Sequence, residues 1–257
     1  MEQNPNSTPA IAIDRWCVEQ LRFTAFLHPQ SRDFSTSWKS LLGNEPDKTT
    51  ITAAPPSRQD IGLFHSHQLI LGTTPFRSDL LLLVNRSEDS LSPAETMFPK
   101  LRQMVDLFRP LAHKWANHVG VSPRLAVGVT ALLPSASTDE TYANLSTLLP
   151  RLNLNQRKCR DLSFRINVPI PSRSPVQTTI NRLVEWSAIN IQRVAFEANL
   201  FDQSQPSLET FPGRHFVRVT TDMNTHPLPD GAQISSHLDD LVDELFDESL
   251  AAIECGD

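Results

Sequence analysis

Glycine is scarce in this chain, at 8 of 257 residues, while proline stands at 20. Few backbone cradles for phosphate can be built from so little glycine, and proline favours rigid, extended connections over flexible linkers. Cysteine is nearly missing as well. Cys17, Cys159 and Cys255 are far apart and odd in number, and none forms a CxxC pair, which excludes a disulfide framework or a zinc–thiolate cluster. Long apolar runs are absent. The longest, Leu80–Val84, is five residues, too short for a membrane span, and the polar start of the chain has no apolar leader segment. Positive charge is in deficit, with a net charge of −6, so no global field draws the chain to a phosphate backbone. The sequence also lacks a phosphate-binding glycine loop, a Gly-x-Ser-x-Gly elbow, a His-Glu-x-x-His pair and a dinucleotide fingerprint. Together these absences point to a soluble, cytoplasmic protein with no cofactor and no membrane partner.

What is present is alternation and helical periodicity. Leu21, Phe23, Ala25 and Leu27 recur at period two and predict a first strand. A short helix follows over 36–42, with Ser35 as cap and Gly43 as stop, then a β-branched strand over 49–53. Ile61, Leu63, His65, His67, Leu69 and Leu71 continue one alternating face, and a further strand covers 76–84. Ser92-Pro93-Ala94-Glu95 reads as a capping box opening a long amphipathic helix to Gly120, roughly 40 Å in length, kinked at Pro110. After residue 120 the order returns: a strand over 124–133, a capping box at Ser137–Glu140 with a short helix, and a strand through Leu162–Val168. Strands over 180–196 and 216–223 follow, then a last amphipathic helix from Leu238 to Ile253, capped by Ser235 or Ser236.

The expected fold is therefore α+β, with two tandem β-α-β-β-β-α pseudo-repeats, each a curved antiparallel sheet packed on its own long helix. The divisions are a polar tail over 1–15, a first repeat over 16–120 and a second over 121–257.

Several phrases carry a resemblance. Asp161-Leu-Ser-Phe-Arg-Ile-Asn-Val-Pro169, Ile180-Asn-Arg-Leu-Val-Glu-Trp186 and Thr221-Asp-Met-Asn-Thr225, ahead of an acidic terminal helix, resemble a sporadically distributed bacterial family of similar length. The element order is similar in outline to duplicated helix-grip proteins of the TATA-binding-protein-like kind. The family resemblance implies no catalytic motif, and fold alone does not fix function.

Candidate sites remain. His65 and His67, two apart on one predicted strand, would share a face and could hold a metal with Asp79 from the next strand. Asp222, Asn224 and His226 alternate at a strand end and could join His215 or Asp230, although Asp and Asn there also suit local backbone bonding. Arg165, Asn167, Asn181, Arg182 and Trp186 place Arg and Trp on adjacent strands, a combination that suits a planar or anionic group, a protein interface, or a solvated sheet face with one buried Trp. The basic run from Arg151 to Arg160 has no interleaved aromatics and reads as a solvated loop. The acidic face of the last helix reads mainly as a solubility device. The favoured function is a non-catalytic protein-interaction or regulatory module, accessory to a neighbouring bacterial enzyme or toxin, with a protein partner or a homodimer. The alternatives are a metal-dependent enzyme using His65, His67 and Asp79, and a nucleic-acid-binding saddle, for which the charge is wrong.

Overall fold

The computed structural model describes residues 11–27, 37–86, 93, 97–119, 122–152, 154, 160–176, 178–192, 194–197, 207–210, 212–227 and 237–256. Nine strands form a single antiparallel sheet. They are β1 (Cys17–Phe26), β2 (Lys48–Ala53), β3 (Pro56–Phe64), β4 (His67–Thr74), β5 (Arg77–Leu83), β6 (Leu125–Ser135), β7 (Ser163–Pro171), β8 (Thr179–Ile191) and β11 (Arg214–Thr225). Their order is β2-β3-β4-β5-β1-β6-β11-β8-β7, and a separate hairpin pairs β9 (Val194–Glu197) with β10 (Ser207–Thr210). The helices are α1 (Ser37–Leu42), α2 (Leu101–Val119), α3 (Thr138–Leu148) and α4 (Leu238–Cys255).

This architecture corrects the expectation of two tandem sheet-on-helix repeats. β1 and β6 pair along their length, Phe23 opposite Val127, so strands from both sides of residue 120 belong to one sheet. The two sides also differ in build. Four strands run as a meander from β2 to β5, whereas β7, β8 and β11 are interrupted by the β9–β10 hairpin. Alternation specifies strands but not whether two sets of strands join at their edges, and here β1 and β6 do.

All four helices contribute to one apolar cluster against one face of the sheet. Leu21, Phe23 and Ala25 of β1, Val127, Val129 and Ala131 of β6, and Val217 and Val219 of β11 point to that face and are buried. On α2, Leu101, Met104, Val105, Phe108, Leu111, Ala112 and Trp115 recur at helical spacing and are buried against the sheet and α4, where Phe108 meets Phe246 edge-on. The acidic face of α4 is largely spent inside the molecule. Asp243 and Asp247 accept from Arg109, and Asp239 and Asp243 flank His113, so α2 and α4 are laced together by charge as well as by apolar contact.

Local signals explain two of the helix ends. Ser137 Oγ accepts from the Glu140 N–H at 3.2 Å and caps α3, while the Glu140 carboxylate reaches one residue past the cap and accepts from Ala136 N at 2.7 Å. Gly43, with φ of +80°, ends α1 and donates its N–H to Lys39 O. The capping residues expected at Ser35 and at Ser92 and Glu95 lie outside the described residues, as do Gly120, Ser235 and Ser236. α4 has His237 at its N-cap position, without a side-chain cap.

Three elements differ from their sequence reading. The strand expected over 180–196 is divided between β8 in the main sheet and β9 in the separate hairpin. α2 begins at Leu101 rather than near Ser92, because Pro99 and Lys100 lie extended beside β1: Val18 N–H bonds to Pro99 O and Leu101 N–H to Trp16 O. The alternating run from Ile61 to Leu71 is two strands, folded back at His65 and Ser66, both with positive φ.

Candidate functional site

Each of the four helices packs against the same face of the sheet, and among the described residues the other face is left uncovered over most of its width. One end is an exception. There Phe98 packs on Cys17, Leu132 and Phe216 as a small second apolar cluster. The rest of the open face carries the side chains that alternate away from the core: Ile61, Ile70, Leu81, Arg77 and Asp79 on one side, Arg22 and Thr24 in the middle, and Asp222, Asn224, Asn181, Leu183 and Arg165 beyond.

A row of polar groups runs across this face at right angles to the strands. On β5, Asp79 pairs with Arg77 Nε at 2.6 Å and accepts from Thr24 Oγ1 at 2.6 Å. From β1, the Arg22 guanidinium reaches over β6 to Asp222 Oδ2 on β11 at 2.9 Å. The reach depends on Gly128 of β6, where a Cβ would come within 3.3 Å of Arg22 Nε and Nη2. Asn224 donates to Asp222 Oδ1 at 3.1 Å and accepts from Arg124 Nη2 at 2.6 Å and Asn181 Nδ2 at 3.1 Å. His226 Nε2 closes the row by donating to Asn181 Oδ1 at 2.9 Å. Arg124 also lies over the Phe26 ring at 4.8 Å, a cation–π contact. The chain of hydrogen bonds leaves few of these charges to attract a ligand by themselves: Arg22, Arg77 and Arg218 each face a carboxylate, the last on Glu19 at 3.4 Å.

The sequence-derived sites fare unequally. Asp222, Asn224 and His226 do lie together, but with Asn181, Arg124 and Arg22. His215 is at the far end of β11, about 23 Å away along the strand, and Asp230 lies outside the described residues. The set of Arg165, Asn167, Arg182 and Trp186 is split between two faces. Arg165 and Asn167 are exposed on the open face, while Arg182 alternates with Val184 and Trp186 toward the helices. Trp186 is 1% exposed and stacked on Phe164, so it is core and cannot anchor a partner.

The metal reading loses its premise. His65 sits in the turn and His67 in β4, and Asp79 pairs with Gly72, five residues along β4 from His67, or about 17 Å. Among the described residues no group of three potential ligands comes together. His67 accepts a hydrogen bond from the Asn85 N–H at 3.3 Å. Burial first, and the neighbouring His65 second, hold its imidazole below the ordinary histidine value. Of the basic run from Arg151 to Arg160, Arg157 and Lys158 lie outside the described residues.

A concavity of about 470 Å³ lies between α3, β8 and β11, bordered by Thr138, Tyr142, Arg160, Asp161, Asn190 and His215. It is ordinary in size for a small-molecule cleft. The Tyr142 hydroxyl is buried and has no hydrogen-bond partner among the described residues.

The residues that sequence reasoning missed are Arg22, Thr24 and Arg124. A polar residue at every second position of β1, opposite Leu21, Phe23 and Ala25, was the available signal, but it could not show that Gly128 would let Arg22 cross a strand. No family model, no curated protein and no solved structure matches this chain. Among the described residues no helix is long and apolar enough to cross a membrane.

Proposed function

We propose that this chain is a non-catalytic protein-interaction module and that its contact surface is the open face of the nine-stranded sheet. One observation carries the reading: a wide sheet has its four described helices on one side and presents on the other a polar row flanked by the half-buried aliphatics Ile61, Ile70, Leu81 and Leu183. Such a surface combines apolar area with hydrogen-bonding groups already held in place, as stable interfaces do. Arg22 and Arg77 are matched by Asp222 and Asp79 within the row, and Arg124 is held by the neutral Asn224, so a partner is selected by shape and hydrogen bonding more than by bulk charge. For the same reason a phosphate backbone is a poor fit, and a saddle for nucleic acid is not favoured.

Gly72 supplies the test. It lies on this face opposite Gln59 and Asp79, and a Cβ there meets nothing within 4 Å. Gly72→Arg should therefore fold normally while obstructing the surface. Affinity capture with the wild-type chain is expected to return a stoichiometric partner that Gly72→Arg no longer holds, with melting curves unchanged. Equal capture by both chains, or turnover of a small molecule by a partnerless chain, would overturn the reading.

A further inference from the structure

The two ends of the sheet are not alike. On β7, Ala188 N–H bonds to Leu162 O at 3.2 Å and Ser172 N–H to Thr178 O at 2.9 Å. Even-numbered residues of this strand therefore face β8, and odd-numbered ones turn their backbone groups outward. Pro169 and Pro171 are odd-numbered. They cost the ladder nothing and remove two outward donors, a familiar protection against edge pairing. Arg165 adds charge to what is left of that edge.

β2 lacks the prolines of β7. All six of its residues, Lys-Thr-Thr-Ile-Thr-Ala, are exposed, with no proline, and Lys48 is the sole charge. Register gives the direction of its backbone groups. The two-residue turn at His65 and Ser66 closes on Phe64 and His67, which are therefore a hydrogen-bonded pair. Counting back by twos, Gly62, Asp60 and Arg58 bond to β4, so Ile61, Gln59 and Ser57 bond to β2. Their partners are Lys48, Thr50 and Thr52. Thr49, Ile51 and Ala53 are left with N–H and C=O pointing outward, and no described strand meets them.

We infer that β2 pairs with β2 of a second copy of this chain, antiparallel and centred on Ile51. In this register Ile51 lies opposite its symmetry mate, Thr49 opposite Ala53 and Ala53 opposite Thr49, with about six inter-chain hydrogen bonds. Every outward group in the segment finds a complement, and Pro46 and Pro55 bound it on either side. The Ile51 side chain, 72% exposed in one copy, gains its own mate. The two Lys48 side chains end up roughly 20 Å apart along the strands, so the pairing brings no like charges together. A two-fold axis normal to the sheet keeps both helical layers on one side, and the open faces of the two copies become one continuous surface. A five-residue strand pair buries well under the ~1,200 Å² of a standard interface, so the dimer is a weak, concentration-dependent one. Because the opposite edge is obstructed, association stops at two copies.

Sedimentation velocity of the full chain from micromolar to near-millimolar concentration tests this. The wild type is expected to shift from monomer to dimer over that range. Ile51→Lys, which places two lysines face to face, and Ile51→Pro, which deletes an outward donor without touching a β2–β3 bond, are each expected to weaken dimerisation at least tenfold. A wild type that stays monomeric throughout, or a dimer that persists unchanged in Ile51→Lys, overturns the inference even should Ile51→Pro perturb folding. Gly72→Arg is expected to dimerise as the wild type does, which separates this result from the fate of the open-face reading.

Discussion

Glu244 is the most deeply buried acid of α4, its side chain 6% exposed, and four donors converge on it. Ser172 Oγ and Arg173 N lie at 2.6 Å, Ser174 N at 3.3 Å and Arg173 Nε at 3.4 Å. Burial alone would raise its pKa. The Arg173 N–H, the Ser172 hydroxyl and the other donors outweigh burial, and the carboxyl sits below its ordinary value of 4.5. The sign of the pH effect follows. A carboxyl with a depressed folded-state pKa stabilises fully above its unfolded value, and that contribution is lost as pH falls through the folded value. Glu244→Gln should therefore cost about 1–2 kcal/mol near neutral pH. The gap to the wild type should close in acid, below the ordinary carboxylate range. Urea titrations of both chains at a series of pH values check it; a gap that is constant across pH would mean that the charge contributes nothing.

The strands and helices themselves were largely legible in the sequence, and the reasons for the exceptions are specific. The alternation from Ile61 to Leu71 survives a reversal of the chain because a two-residue turn leaves the odd–even count intact. The faces swap nonetheless: Ile61 and Leu63 lie on the open face, and Leu69 and Leu71 on the helical one. His65 and Ser66 take positive φ without a glycine or asparagine between them to announce it. The late start of α2 comes from backbone pairing with β1 that no local pattern records. The sequence leaves Trp186 between a buried core residue and an exposed anchor because alternation separates two faces without saying which one meets the helices; it is core.

The short helix α1 shows how an element can hang on one close approach. The Trp38 ring lies against the backbone of Gly62 on β3, where a Cβ would come within 2.5 Å of Cζ2. Gly62→Ala should push Trp38 from its pocket and cost about 1–3 kcal/mol. Denaturant melts would show the loss, and tryptophan fluorescence would shift to the red as the ring meets water. An unchanged midpoint would mean that α1 accommodates the methyl.

At the scale of the whole molecule the decisive contact is β1 against β6. It places the two sides of the chain in one sheet and one core, which the repeat-like order of elements did not disclose. A fragment ending at residue 120 would keep β1–β5 and α2 but would expose the β6-facing edge of β1 and strip α4 from Phe108 and Arg109. Calorimetry of that fragment is expected to show no cooperative transition, in contrast to the full chain. A sharp transition in the fragment would establish the first 120 residues as an autonomous unit.

The same seam sets a timetable for synthesis. Phe23 and its partner Val127 are about a hundred residues apart in the chain. At a translation rate of roughly 5–20 residues per second, β1 emerges from the ribosome about 5–20 s before β6 can reach it. Through that interval the nascent chain carries the unpaired edge of its future central strand, and holding that edge apart from other chains falls to whatever the cell keeps near the exit tunnel.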